Sequence, residues 1–151
     1  MRLFRICPAR FAADMWTGEG AWRFGARWNS RHVRIVYTST TLALAAMEFF
    51  VHLDPVSAPD DLQACSGDLD DDVAVATPLL PPRWLESSSQ HLQALGDDWV
   101  RRASSVALRV PSAAVLGEWN VLLNPAHPDF RRFHPHRPVP FRFDPRMFAR
   151  S

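Results

Sequence analysis

The sequence predicts a single α+β domain built on a mixed, split β-sheet flanked by helices. Three observations lead there. The 151 residues, 47% of them hydrophobic, hold material for one sizeable core. Residues 33–39 and 105–112 alternate as strands do. Only residues 42–53 carry a long, almost wholly apolar helical run.

Residues 2–6 (RLFRI) read as a short first strand that turns at Cys7-Pro8. Residues 11–32 are rich in Gly, Trp and Arg, with Gly18, Gly20 and Gly25 open to backbone turns. In VRIVYTS (33–39), Val33, Ile35 and Tyr37 share one face and Arg34, Val36 and Thr38 the other. Ser39 or Thr40 is the expected N-cap of the helix over 42–53, which Asp54-Pro55 closes, and its apolar composition predicts a buried element. Residues 54–82, with the acidic run Asp70-Asp71-Asp72, read as loops around one or two short strands, including 73–76. A second helix is expected over 83–95, and residues 96–99 lead toward another strand. SVALRVPS (105–112) turns Val106, Leu108 and Val110 inward, and EWNVLLNP (118–125) is a further strand ending at Pro125. PFRFD (140–144) is a last extended segment in a Pro-, His-, Arg- and Phe-rich tail. Most strands are expected in the second half of the chain.

Charge narrows the function classes. Seventeen basic against sixteen acidic residues leave a net charge of +1, too weak a field to predict binding to nucleic acid or an anionic membrane. Every one of those basic residues is Arg. Schiff-base and phosphate-loop lysines are therefore excluded, and strong anion binding falls to the planar fork of Arg. Cys7 and Cys65 form no C-x-x-C pair, so neither a zinc knuckle nor a disulfide scaffold is expected. The opening apolar run breaks at Arg5, Pro8 and Arg10, unlike a signal peptide, and no stretch approaches the roughly 20 apolar residues of a membrane span. A cytoplasmic protein is expected.

Glu48 is one of four Glu and the sole charge between Leu42 and Val51. Burying it is costly unless a cation or hydrogen-bond donors compensate. It is either a structural partner of an Arg or a carboxylate lining a cleft. Arg27, in FGARWN (24–29), sits where backbone can approach a ligand closely and a guanidinium can reach a phosphate or carboxylate. Tyr37, the only Tyr, reads from its strand position as core packing with a satisfied hydroxyl. Ser112 lacks a G-x-S-x-G context, which argues against a hydrolase nucleophile. His127, Asp129, His134 and His136 cluster in sequence, but their spacing fits neither H-E-x-x-H nor a zinc finger. Asn120 and Asn124 bracket a strand end, where amides orient a ligand or satisfy a turn.

The order of these residues carries a resemblance. Gly25-Ala26-Arg27-Trp28-Asn29, then Ile35-Val36-Tyr37-Thr38-Ser39, then Ala43-Leu44-Ala45 leading to Glu48, then Val110-Pro111-Ser112, then residues 120–125 with His127-Pro128-Asp129-Phe130 together resemble the RES family. That family is named for an Arg, a Glu and a Ser, matched here by Arg27, Glu48 and Ser112. The match spans about residues 2–143 of one domain over 1–151. Two departures stand out: Ala26 replaces a Gly, and Arg31-His32 replaces a glycine-containing turn.

The resemblance implies an ADP-ribosyltransferase-like fold and a toxin of a type II toxin–antitoxin pair with NAD as substrate. Family members cleave NAD as phosphorylases or glycohydrolases, or ADP-ribosylate a protein. No resident cofactor is implied, though inorganic phosphate is a co-substrate of the phosphorylases. The implied partner is a Xre-type DNA-binding antitoxin, in a hetero-oligomer that blocks the NAD site. Arg27, Tyr37 and Glu48 are the implied catalytic residues; Trp28, Asn29, Ser112 and Asn120, with Arg27 and Tyr37, are the implied substrate-binding set. Other classes remain open at this level: a catalytically silent partner-binding module, and an RNA-acting toxin, which the near-neutral charge disfavours.

Overall fold

The computed structural model describes residues 1–54, 56 and 58–148. Its strands are β1 (Arg2–Pro8), β2 (Val36–Ser39), β3 (Leu62–Leu69), β4 (Val75–Ala76), β5 (Ala107–Pro111), β6 (Trp119–Leu123), β7 (Phe133–Pro135) and β8 (Val139–Phe141). They join one sheet in the order β4-β5-β6-β2-β1-β3-β7. All pairings are antiparallel except β4 with β5. The split lies at one end, where β7 pairs with residues 67–69 of β3 and β8 with residues 62–64. The helices are α1 (Glu19–Phe24), α2 (Leu42–Phe50) and α3 (Ser89–Arg102). The α+β class is as expected.

Both faces of the sheet are buried, which explains why β6 reads WNVLL without a polar alternation. Leu3, Val36, Val121, Leu123 and Phe133 pack on one face with Trp16. Ile35, Leu108, Val110 and Leu122 pack on the other with Trp28, Leu92 and Trp99. Val106, expected beside Leu108 and Val110, joins the first of these faces. On that same face Arg5 donates to the Met15 carbonyl, and Cys7 and Cys65 lie with their sulfurs 3.9 Å apart as free thiols.

Several elements differ from the sequence reading. Strand β3 is the longest of the eight, although its segment reads as loop. Small and polar residues fill it because β1 and β7 press on it, leaving no room even for a Cβ at Gly67, which would meet Phe133 at 2.2 Å. The strands are accordingly spread along the chain rather than gathered in its second half. α1 was not foreseen within the Gly-rich stretch. The cap of α2 is Thr41, not Ser39 or Thr40, and its hydroxyl accepts from the Leu44 amide at 3.1 Å. α2 ends at Phe50, and Pro55, the expected stop, lies outside the described residues. Its apolar surface is only half-buried, with Leu44 and Ala45 fully in the core, because its exposed flank forms the wall of a cleft.

α3 starts later and runs on through residues 96–99, which the sequence reading assigned to a strand approach. Ser88 caps it, accepting from the His91 amide at 3.2 Å. Gly96 sits inside the helix because no side chain fits there: a Cβ would lie 1.7 Å from the Trp28 carbonyl oxygen. The next residue, Asp97, accepts from the Ser30 amide at 2.9 Å. The helix thus clamps the loop of residues 25–30 by backbone contact.

Gly96→Ala is expected to lower the unfolding free energy by about 1–3 kcal/mol or more, as overpacking against fixed backbone does. Gly20→Ala, whose Cβ meets nothing within 4 Å, is expected to be neutral or to gain about 0.5–1 kcal/mol from helix propensity. Urea melts of the two variants check the pair.

Candidate active site

A cleft of about 1050 Å³ opens on the Tyr37 face of the sheet, at the upper end of the size range of small-molecule sites, roughly 300–1,000 Å³. Its floor follows from strand register. Phe4 lies opposite Ser39 and Ser39 opposite Asn120, and directly opposed residues share a face, as do Ser39 and Tyr37 two apart on β2. One wall is α2; the other is the loop of residues 24–28 with the start of α3.

Glu48 projects into this cleft from α2. Its Oε1 accepts two short hydrogen bonds, from the Ser112 hydroxyl and the Asn120 amide, each at 2.6 Å. Ser112 comes from the end of β5 and Asn120 from β6. Both donors are fixed in turn. The Ser112 oxygen accepts from the Ala114 and Val115 amides at 3.1 and 2.9 Å. Asn120 Oδ1 accepts from the Ser39 hydroxyl at 2.7 Å. Donors aimed at a carboxylate make charge-assisted bonds and hold it in one orientation. Glu48 forms no ion pair among the described residues, so the structural Arg partner considered from sequence is not what compensates it. Its other oxygen, Oε2, has no hydrogen-bond partner among them and is reached by solvent from the cleft.

The opposite wall is organised by Asn29, which is fully buried. Its amide nitrogen donates to the carbonyls of Ala21, Ser30 and Val33 at 2.9, 2.9 and 3.1 Å. Its oxygen accepts from the Tyr37 hydroxyl at 2.7 Å, and that hydroxyl accepts from the Trp28 amide at 3.1 Å. Tyr37 therefore holds the loop with its polar end while its ring lines the cleft. Burial raises the Tyr37 hydroxyl well above the ordinary tyrosine value; the Trp28 amide bond opposes this, Asp97 adds to it and the nearby Arg27 cation opposes it. Gly25 makes the turn into the loop at φ 67°, with Asn29 O only 3.2 Å from where a Cβ would stand. Ala26, where the resemblance expects Gly, keeps a negative φ. His32 supplies the left-handed turn instead at φ 71°, its amide donating to Trp22 O at 2.7 Å.

Arg27 stands exposed on this wall with neither ion pair nor hydrogen bond among the described residues. Many other arginines are satisfied on the surface, as Arg132 is by Asp70 and Arg23 and Arg34 are by Glu19. A guanidinium left free beside a cleft is available to an anion.

The structure thus brings Arg27, Tyr37, Glu48 and Asn120 together on the cleft surface. It places three of the expected substrate contacts differently. Asn29 and Ser112 are buried, with their polar atoms engaged inside the chain, so they stand behind the wall. The Trp28 ring is in the core, stacked on Trp84 at 5.9 Å between centroids, and only the edge of that residue reaches the cleft. The tail histidines go elsewhere: His127 caps a turn by accepting from the Asp129 amide, and His134 and His136 face Asp70 and Asp68. Asn124 caps a turn at Ala126. Among the lining residues that the sequence did not single out are Phe24 and His52. His52 follows Glu48 by four positions, in the turn after α2.

Comparison with known proteins finds relatives in sequence and in fold. A family model described as RES domain matches residues 2–144. A relative named Toxin Res, from Yersinia enterocolitica, is 32% identical over 97% of this chain and 99% of its own. A relative named Prs ADP-ribosylating toxin, from a Sphingobium strain, is 35% identical over 93% of this chain and 91% of its own. In fold, the chain is similar to a chain in the crystal structure of the Mycobacterium tuberculosis MbcT–MbcA toxin–antitoxin complex, with a TM-score of 0.70 over 93% of this chain and 83% of that one at 18% identity.

Tyr37 gives a pH test with a clean readout, since the chain has one Tyr. Its folded value lies above the unfolded value of about 10, so the stability it confers is full below that pH and is lost as pH rises beyond it. Ultraviolet titration is expected to show no tyrosinate until well above pH ~10 in the folded protein. Tyr37→Phe is expected to remove this part of the alkaline slope and to cost about 1–3 kcal/mol for the unpaired Asn29 oxygen and Trp28 amide, checked by urea melts across pH.

Proposed function

The chain belongs to the RES domain family, and from that premise we propose that it is the toxin of a toxin–antitoxin pair, an enzyme that cleaves the nicotinamide–ribose bond of NAD. The observation that carries this reading is the Glu48 carboxylate, fixed through one oxygen by Ser112 and Asn120 and open to the cleft through the other. NAD is the substrate, not a resident cofactor.

Breaking that bond turns a cationic leaving group into neutral nicotinamide, so no general acid is needed. Positive charge instead develops on the ribose, in an oxocarbenium-like transition state like that of glycoside hydrolysis. A carboxylate already oriented, in a partly dry cleft, stabilises that charge without reorganising at the moment of reaction. Its free Oε2 also suits a hydrogen bond from a ribose hydroxyl. Arg27 would grip the pyrophosphate by charge-assisted bonds, and the Tyr37 ring would stack on nicotinamide. Ser112 and Asn29 would contribute by holding Glu48 and the Arg27 loop in place.

Transfer of ADP-ribose to a protein is the second reading, favoured by the relative named Prs ADP-ribosylating toxin. The same carboxylate and cation serve both. Exposed apolar side chains at the cleft mouth, Phe24 and Val51 at 76% and 52% exposure, suit a covering partner, for which a Xre-type antitoxin in a hetero-oligomer is the proposal. A cytoplasmic site of action fits the substrate.

Purified protein incubated with NAD is expected to release nicotinamide. Glu48→Gln is expected to slow release by about 10²–10³-fold, the scale of losing one preorganised electrostatic group. Arg27→Ala is expected mainly to raise KM. Dependence on inorganic phosphate identifies phosphorolysis, and label on a protein identifies ADP-ribosyl transfer. Absence of nicotinamide above the Glu48→Gln level with every acceptor would sink the proposal.

A further inference from the structure

When water accepts the ribose it must lose a proton, and the residues already assigned leave that proton without a taker. One Glu48 oxygen is committed to Ser112 and Asn120, and the other, open to the cleft, is assigned above to the ribose. The Tyr37 hydroxyl and the Ser39 hydroxyl are engaged inside the chain. The Arg27 guanidinium offers donors only and no acceptor for a proton. His52 is different. It lines the same cleft, is exposed, and its imidazole has no hydrogen-bond partner among the described residues. Its backbone continues the last turn of α2, with its amide donating to Phe49 O at 3.2 Å. Four positions beyond Glu48, in the turn that follows α2, it lines the same cleft as that carboxylate. The cleft volume of about 1050 Å³ leaves room for a water beside the ribose that Glu48 would hold. Histidine is the side-chain type that both takes and gives up a proton near neutral pH.

We infer that His52 is a general base for the water that attacks the ribose. The inference rests on the NAD-cleaving reading above. In the step, the bond from ribose C1 to the nicotinamide nitrogen breaks and its electron pair returns to the ring, which leaves neutral. A bond forms from C1 to the water oxygen, and a proton on that oxygen passes to the His52 imidazole and then to solvent, giving ADP-ribose. Inorganic phosphate attacks through an oxygen that is already ionised and gives ADP-ribose 1-phosphate with no need of this base.

The test follows nicotinamide and both products for wild type, His52→Ala and His52→Gln, with and without inorganic phosphate and with added imidazole, alongside thermal melts and NAD-binding titrations. The expected result is a loss of about 10²-fold in hydrolytic turnover for both variants, with melting and NAD affinity unchanged. Free imidazole should restore turnover in His52→Ala, where there is space for it, and leave wild type unaffected. Any phosphorolysis, whose nucleophile is already ionised, is expected to fall far less than hydrolysis. Hydrolysis at the wild-type level in either variant, or a loss in His52→Ala that imidazole does not restore, overturns the inference. If wild type itself releases no nicotinamide, it is the NAD-cleaving reading that has failed.

Discussion

The rest of the site depends on one buried amide. Asn29 has no solvent exposure, yet every hydrogen-bonding atom of its side chain is matched by a carbonyl or by the Tyr37 hydroxyl. Left unmatched, each such atom would cost about 1–3 kcal/mol. The loop of residues 25–30 therefore has one conformation in which this amide can be buried at all. Arg27 sits on that loop two residues away, so its cation is presented to the cleft by a backbone that cannot readily relax. From outside, α3 completes the constraint, with Gly96 against the Trp28 carbonyl and Asp97 on the Ser30 amide.

The opposite wall applies the same logic to a charge. Glu48 belongs to α2, whereas its donors belong to the ends of β5 and β6, and one of them is fixed by Ser39 of β2. Four elements must be in place before the carboxylate has its orientation. That arrangement puts the folding energy of the sheet behind the placement of one oxygen, which is how a small domain preorganises a charge without a metal-like anchor. It also separates two roles within the residue set: Glu48 and Arg27 present unpaired atoms to the cleft, and Ser112 and Asn29 spend theirs on holding them.

This separation marks the boundary of what the sequence makes legible. A lone Glu in an apolar helix is conspicuous because burying a charge is expensive, and the ordered blocks around Arg27, Tyr37 and Ser112 identify the family. Whether Asn29 or Ser112 stands on the cleft wall or behind it depends on partners up to dozens of residues away, which no local pattern records. The same holds for the fold. β5 and β6 follow from their apolar runs, whereas β3 is built of small residues chosen by what presses on them, Phe133 against Gly67 above all. Gly96 misled for a related reason. Locally it argues against a helix; in the folded chain the missing Cβ is what lets the helix touch Trp28.

Near-neutral charge takes its meaning from placement. Much of the cationic surface is tied to neighbouring carboxylates, as in the Arg132–Asp70 and Arg34–Glu19 pairs, so the exterior offers little net field to a polyanion. A free guanidinium on a cleft wall works differently, because its planar fork meets a bound anion directly and needs no field from the rest of the surface. The substrate proposed, with two phosphates and a cationic ring, needs such local opposites rather than a basic face. Arg27 on one wall and the Glu48 carboxylate on the other supply them across the cleft, and their rigid supports keep that pair from collapsing into an ion pair of its own.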